Sequence, residues 1–320
     1  MSIHHRVALI GAGEVVRRFY VPVFKPRPDI QVSAICSSGG LNATSVAKAL
    51  GVPFVATNYR QVIDRADVDS VMICTPPFAH FPIAKYALEA GKNVLVEKPV
   101  CTSFEEFQSL RAIADRSKGI LSATYNNAAR DDNQWLIREV RKGAVGEVQL
   151  IDLKWLRTKG RPEKAWAQDA RCAGGGGVLA DLGSHLIRLS VELIGPVSGF
   201  RGSCITCCHD PSSGTSDIED VAVASMLLND NIAVGLRVGW GMHMEIPADV
   251  SIRVYGSQGT ISNKNYTGHS SDGYATLIDQ FLSAAASGAQ PDLEPVGHTA
   301  SILHALYMSS RMGEAAPEQR

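Results

Sequence analysis

Apolar and polar positions fall into two alternating kinds of block over the first third of the chain. Short, nearly continuous apolar runs occur at Val7-Ala8-Leu9-Ile10 and at 30–36, 70–74 and 93–97, with a shorter one at 53–55. Between them lie stretches with apolar residues at helical spacing, at 43–50, 59–66, 82–90 and 104–116. Runs with no polar alternation predict strands buried on both faces, and intervening helices predict parallel pairing. A further strand over 120–125 completes this part, which reads as a doubly wound α/β domain over residues 1–122.

The pattern changes beyond residue 122. A helix is predicted over 135–142, ending at Gly143. Residues 148–155 alternate as a half-exposed strand does. After Gly174-Gly175-Gly176-Gly177, a helix is predicted over 185–194, then strands over 222–228, 232–238 and 251–255, the first two joined by Asn229-Asp230-Asn231. Two helices, 274–286 and 299–310, close the chain. Residues 123–320 therefore read as an α+β domain with an open-faced, mainly antiparallel sheet carrying helices on one side.

Candidate chemistry begins at Gly11-Ala12-Gly13-Glu14-Val15-Val16, which follows the first strand and opens a helix. Glycines there permit a tight turn and close backbone approach to a pyrophosphate at the helix N-terminus. Gly11, Gly13, Glu14 and Val15 are the expected cradle of a Rossmann-type dinucleotide site, although Val16 takes the place of the third glycine. An acid at the end of the second strand would bond the ribose of NAD. Ser37 and Ser38 stand there instead. Loss of the carboxylate tilts the balance towards NADP, yet no arginine follows to bind its phosphate, so the cofactor is NAD or NADP.

Three further groups lie where strands end. Thr75-Pro76-Pro77-Phe78-Ala79-His80 forms a loop whose two prolines lack N–H donors, so rigidity is its use. Thr75, Pro76, Pro77 and His80 are expected beside the cofactor, with helix capping as the plainer role for His80. Glu97-Lys98-Pro99 brings an acid and a lysine to the same sheet edge, where a lysine can stabilise a developing alkoxide or be an ordinary surface lysine. Asp181 and His185, four residues apart at a helix start, share a face. A histidine titrating near neutrality can take or return a carbinol proton while the carboxylate fixes its tautomer. An N-cap aspartate and a buried histidine are the plainer alternative.

Composition narrows the classes. Among 320 residues, 31 Lys and Arg face 32 Asp and Glu, so no basic footprint for nucleic acid is present. No apolar run approaches the roughly 20 residues of a membrane helix. The first apolar run is too short for a secretory signal, and cytoplasmic location is expected. Seven cysteines fit free thiols in a reducing compartment. The cluster Cys204-Ile205-Thr206-Cys207-Cys208-His209 has no second pair to complete a zinc site and reads as a cysteine-rich strand, with no metal expected.

Taken in order, Gly11-Ala12-Gly13, Thr75-Pro76…His80, Glu97-Lys98-Pro99, Gly175-Gly176-Gly177-Val178, Asp181-Leu182-Gly183-Ser184-His185, the run 254–260 and the closing Ala305-Leu306-Tyr307 resemble the Gfo/Idh/MocA family of glucose–fructose oxidoreductase and inositol dehydrogenase. The resemblance implies an NAD(P)-dependent oxidoreductase acting on a carbinol or ketone carbon of a sugar, sugar nucleotide or cyclitol. It implies Lys98, Asp181 and His185 as the catalytic group: His185 as general acid/base, Lys98 at the reacting oxygen, Asp181 orienting substrate and histidine. Glu97 is implied beside the cofactor. Asn126 and Trp166 are implied, with the catalytic three, at the substrate. A homodimer or homotetramer is implied, with the open sheet face as interface. An NAD-dependent glycoside hydrolase of the same fold and a non-catalytic cofactor-binding sensor are the alternatives. The chain departs from its relatives at Val16, at Ser37, at Ala128 in place of the arginine of an N-x-R-F pattern, and at Arg188 in place of an aspartate.

Overall fold

A computed structural model describes residues 5–161, 176–208, 218–268 and 270–314. It divides into two compact units, residues 1–126 with 272–293, and residues 127–271 with 294–320.

The first unit holds six strands: β1 (His5–Ile10), β2 (Ile30–Cys36), β3 (Phe54–Ala56), β4 (Ser70–Ile73), β5 (Asn93–Glu97) and β6 (Leu121–Thr124). They form one sheet in the order β3-β2-β1-β4-β5-β6, every pair parallel. The continuous apolar runs are the cause: Val7–Ile10 and all of β4 are buried, as strands covered on both faces must be. The strand order reverses between β1 and β4, the place where open α/β sheets leave a crevice at their carboxyl ends.

The sequence reading assigns the closing helices together to the second domain. Here the helix Tyr274–Ser287 belongs to the first unit. Its Tyr274, Ile278, Phe281 and Leu282 join the core of Val16, Tyr20 and Phe24, and Tyr274 stacks on Phe19 with ring centroids 4.4 Å apart. Arg27 pairs with Asp279 at 2.5 Å, and Gln290 exchanges hydrogen bonds with the Leu121 backbone at 3.0 and 2.8 Å. Amphipathic spacing tells that a helix buries one face, not which sheet it buries that face against.

The second unit has a six-stranded sheet of β7 (Val148–Arg157), β8 (Phe200–Cys207), β9 (Val221–Leu228), β10 (Ile232–Gly239), β11 (Ala248–Gly256) and β12 (Gly259–Ser262), in the order β12-β11-β7-β10-β9-β8. Among the described residues of this sheet only the β7–β10 pair is parallel. Asn229 and Asp230 take left-handed backbone conformations, with φ of 51° and 59°, and close the β9–β10 hairpin. The cysteine-rich strand is β8, and β12 was not anticipated. Alternate residues such as Ala222, Ala224, Met226 and Leu228 are buried beneath the helices Ser184–Ile194 and Glu294–Glu314. The opposite face carries Leu150, Val223 and Ile205 exposed.

Candidate active site

In the first unit, the expected cofactor residues gather at the carboxyl ends of β1, β2, β4 and β5. Gly11 has φ +103°, and its N–H donates to the Cys36 carbonyl at 2.7 Å. A Cβ on Gly11 would run into the Cys74 carbonyl, so the backbone of the β4 end and this turn touch directly. Gly13 differs: a Cβ there meets nothing within 4 Å. One glycine is demanded by packing and the other leaves open space at a helix N-terminus, where the helix dipole favours an anion. That cradle fits the pyrophosphate of a dinucleotide. Exposed Glu14 and half-buried Val15 open the helix, and Val16 is fully buried in the core.

Ser37 continues past β2 with its N–H on the Ala56 carbonyl at 3.0 Å, and its hydroxyl accepts from Gly39 N–H at 3.4 Å. Ser38 is exposed beside it. Thr75 and Pro76 are half-buried, and Pro77 is buried at the start of a short turn, Pro77–Ala79.

Two of the expected cofactor residues make their polar contacts within the protein. The His80 ring is buried, with Nδ1 2.7 Å from the Pro99 carbonyl and Nε2 2.8 Å from the Thr75 carbonyl. Both nitrogens face main-chain carbonyls, and His80 ties the Thr75 loop to the turn after Lys98. Burial lowers its pKa, and the two carbonyls oppose that shift. The Glu97 carboxylate is likewise turned inward. It accepts the Tyr20 hydroxyl at 3.0 Å, and Tyr20 also lies 3.3 Å from Thr124 Oγ1. Burial pushes Glu97 up to about 7. Lys98 follows it at the sheet edge, half-buried and joined to Pro99 by a cis peptide. Asn126 donates from Nδ2 to the Asp272 carbonyl at 2.9 Å, fastening the β6 end to the returning segment.

In the second unit, Asp181 lies within a widened helical turn, Leu179–Gly183, that runs directly into the helix Ser184–Ile194. It is therefore inside the helix and not its N-cap. Asp181 is 3.5 Å from Arg157 Nη2 at the end of β7, and Arg157 lies over the Trp240 ring at 5.3 Å. Burial lowers the Arg157 pKa, and Asp181 counters it. The buried His185 ring packs beside Trp155 with centroids 5.8 Å apart. A guanidinium close to a carboxylate favours its charged form, and an imidazole can exchange a proton near neutrality. Arg188 bonds Glu192 at 2.5 Å, which also receives Arg141 at 3.2 Å, so its charge is answered within the helix face. Trp166 lies outside the described residues.

Glu219 carries no local sequence signal of a role. Its Oε2 accepts the Gly177 N–H at 2.8 Å and its Oε1 accepts the Leu179 N–H at 2.9 Å. Arg157, Trp155 and Tyr20 were missed too. Strand and helix periodicity marks such residues only as partly or wholly buried positions. Among the described residues no group of His, Cys, Asp and Glu is arranged to hold a metal, and the six described cysteines are free thiols.

Residues 5–125 match the model of an oxidoreductase family with an NAD-binding Rossmann fold, and residues 134–262 match the C-terminal domain of that family. A dTDP-3,4-didehydro-2,6-dideoxy-alpha-D-glucose 3-reductase of Streptomyces violaceoruber is 27% identical over 258 residues, covering 80% of this chain and 72% of the relative. GenD2 from gentamicin A biosynthesis, solved in complex with NAD, superposes with a TM-score of 0.87 at 21% identity, over 98% of this chain and 96% of its own. KijD10, a 3-ketoreductase from Actinomadura kijaniata solved with NADP and TDP-benzene, does so with a TM-score of 0.80 at 21% identity, over 95% and 97%. At such identities the two structures establish the shared fold. With both halves matched by models of one family, this chain belongs to the Gfo/Idh/MocA oxidoreductases.

Proposed function

We propose that the protein interconverts a carbinol and a ketone on a sugar, sugar nucleotide or cyclitol, using NAD or NADP. The observation that carries this reading is the Asp181–Arg157 pair at 3.5 Å with the His185 ring against Trp155. A fixed charge, a proton carrier and an aromatic wall are what a polyhydroxylated ring needs to be held and deprotonated. Gly11, Gly13 and the Thr75–Pro77 loop would hold the dinucleotide, and Ser37 and Ser38 its ribose end. When bound, the nicotinamide supplies or accepts the hydride. The protein's residues handle the proton: His185 removes it from the hydroxyl during oxidation and returns it during reduction. Lys98 donates to the reacting oxygen, and Asp181, paired with Arg157, orients hydroxyls and the imidazole. The absence of a carboxylate at Ser37 favours NADP.

The open face of the second sheet supports a homo-oligomer. Val223 and Ile205 are opposed across β8 and β9 and are 47% and 72% exposed. Contiguous exposed apolar side chains mark an interaction surface, and a second copy of the chain suits it. Light scattering on the purified protein tests this, and a monomer at all concentrations refutes it. Free thiols support a reducing, cytoplasmic setting.

The experiment is titration with NADH and NADPH by nicotinamide fluorescence, then a screen of glucosides, keto-sugars, dTDP-glucose and inositols for a net change in reduced-nicotinamide absorbance. Tight binding of one cofactor and net turnover of one substrate are expected. Binding of neither by folded, cofactor-free protein refutes the reading, and product formation without net cofactor change points to the hydrolase instead.

A further inference from the structure

The helix that carries Asp181 and His185 begins at a closed and fully accounted N-terminus. A helix leaves its first four N–H groups without partners along its own backbone. Here the Gly177 and Leu179 N–H groups go to the Glu219 carboxylate at 2.8 and 2.9 Å. The Val178 N–H goes to the Glu219 backbone carbonyl at 3.0 Å. The Ala180 N–H goes to the Tyr307 hydroxyl at 3.0 Å, and that hydroxyl in turn donates to Glu219 Oε1 at 2.9 Å. The next N–H, of Asp181, enters the helix ladder on the Gly177 carbonyl at 3.0 Å.

Both clamps are anchored elsewhere. Beside Glu219, the Asp220 N–H bonds the Cys207 carbonyl at 2.9 Å, and the Asp220 carbonyl receives the Trp240 N–H at 2.8 Å, which fixes the segment to two strands. The helix Glu294–Glu314 carries Tyr307 and is tied to β8 through Ser309 and the Cys204 N–H at 2.9 Å and through Ser310 and Thr206 at 2.7 Å. The glycine run explains itself here. A Cβ on Gly176 would strike the Tyr307 phenol, and one on Gly177 would strike the Glu219 carbonyl. Those glycines admit the two clamps.

We infer that Glu219 and Tyr307 are positioning residues for the reaction: they set where Asp181 and His185 stand without touching substrate. This rests on the proposed roles of Asp181 and His185. A displacement of about 1 Å in such groups costs roughly 100-fold in rate, so a clamp that anchors the helix from the sheet and from the last helix acts on turnover and not on cofactor affinity.

The test uses the full chain with Tyr307→Phe and Glu219→Gln, labelled at the histidine rings. His185 is assigned by loss of its signal in His185→Gln, and its ring resonance is sensitive to the Trp155 ring packed beside it. In Tyr307→Phe, which preserves the shape of the side chain, NADPH affinity should stay unchanged and the His185 resonance should move. With whichever screened substrate is turned over, kcat should fall about 10- to 100-fold. Glu219→Gln, where it folds, should show the same signs more strongly. A lower thermal midpoint with the His185 resonance and kcat unmoved in Tyr307→Phe would overturn the inference and leave a merely structural cap. Full turnover in His185→Ala would overturn the underlying assignment instead, and the His185 resonance would still decide the positioning claim.

Discussion

The Tyr20 hydroxyl donates to the Glu97 carboxylate at 3.0 Å in the interior of the nucleotide-binding unit, one residue before Lys98. Tyr274, on the helix that returns from the far end of the chain, packs edge-on against Tyr20 with centroids 5.6 Å apart. Burial raises Glu97 from its ordinary 4.5 to about 7. A carboxyl whose folded pKa is raised binds its proton more tightly in the folded state, so stability present at low pH is lost as pH rises from about 4.5 to about 7. Glu97→Gln should remove that loss, which amounts to at most ~1.4 kcal/mol per pH unit. Urea denaturation of both proteins between these pH values checks it: parallel curves would place the Glu97 pKa near its ordinary value.

The two glycines of the turn should separate on mutation. Gly11→Ala forces a side chain into positive φ and into the Cys74 carbonyl, so thermal stability and NADPH binding should fall together. Gly13→Ala meets open space within the protein, so the fold should hold while NADPH affinity drops. Melting curves with and without cofactor distinguish the two, and equal melting losses would contradict the assignment.

Removing the proton carrier should be costly. His185→Ala should lower kcat about 10²–10⁴-fold with NADPH affinity intact. Asp181→Asn strips the carboxylate from the half-buried Arg157, so it should reduce kcat and also raise KM for a polyhydroxylated substrate. Steady-state kinetics on both variants with the same substrate decides, and near-normal turnover in either removes that residue from the catalytic group.

Cofactor choice should respond to one side chain. Ser37→Asp introduces a carboxylate able to bond a ribose hydroxyl and repel a 2′-phosphate, so the ratio of NADP to NAD affinity should fall by about tenfold or more. Fluorescence titration with both reduced cofactors measures it, and an unchanged ratio would mean that Ser37 does not face the ribose.

The parallel sheet was legible because each of its strands is a local apolar run, and the tight turn at Gly11 because two glycines follow the first of them. Asp181 and His185 were legible as a spacing, and the family resemblance supplied their roles. What the residues' own neighbours in sequence decide was readable along the chain: strand against helix, the Gly11 turn, the left-handed hairpin at Asn229 and Asp230. The tertiary structure alone decided the rest. It turned the His80 ring onto two carbonyls and the Glu97 carboxyl onto Tyr20. It sent Tyr274 back to the first unit and brought Glu219 and Tyr307 to the start of the Asp181 helix. Those outcomes depend on partners far apart in sequence, such as Gly177 and Glu219, and a hydrogen bond between them leaves no periodicity in either segment to read.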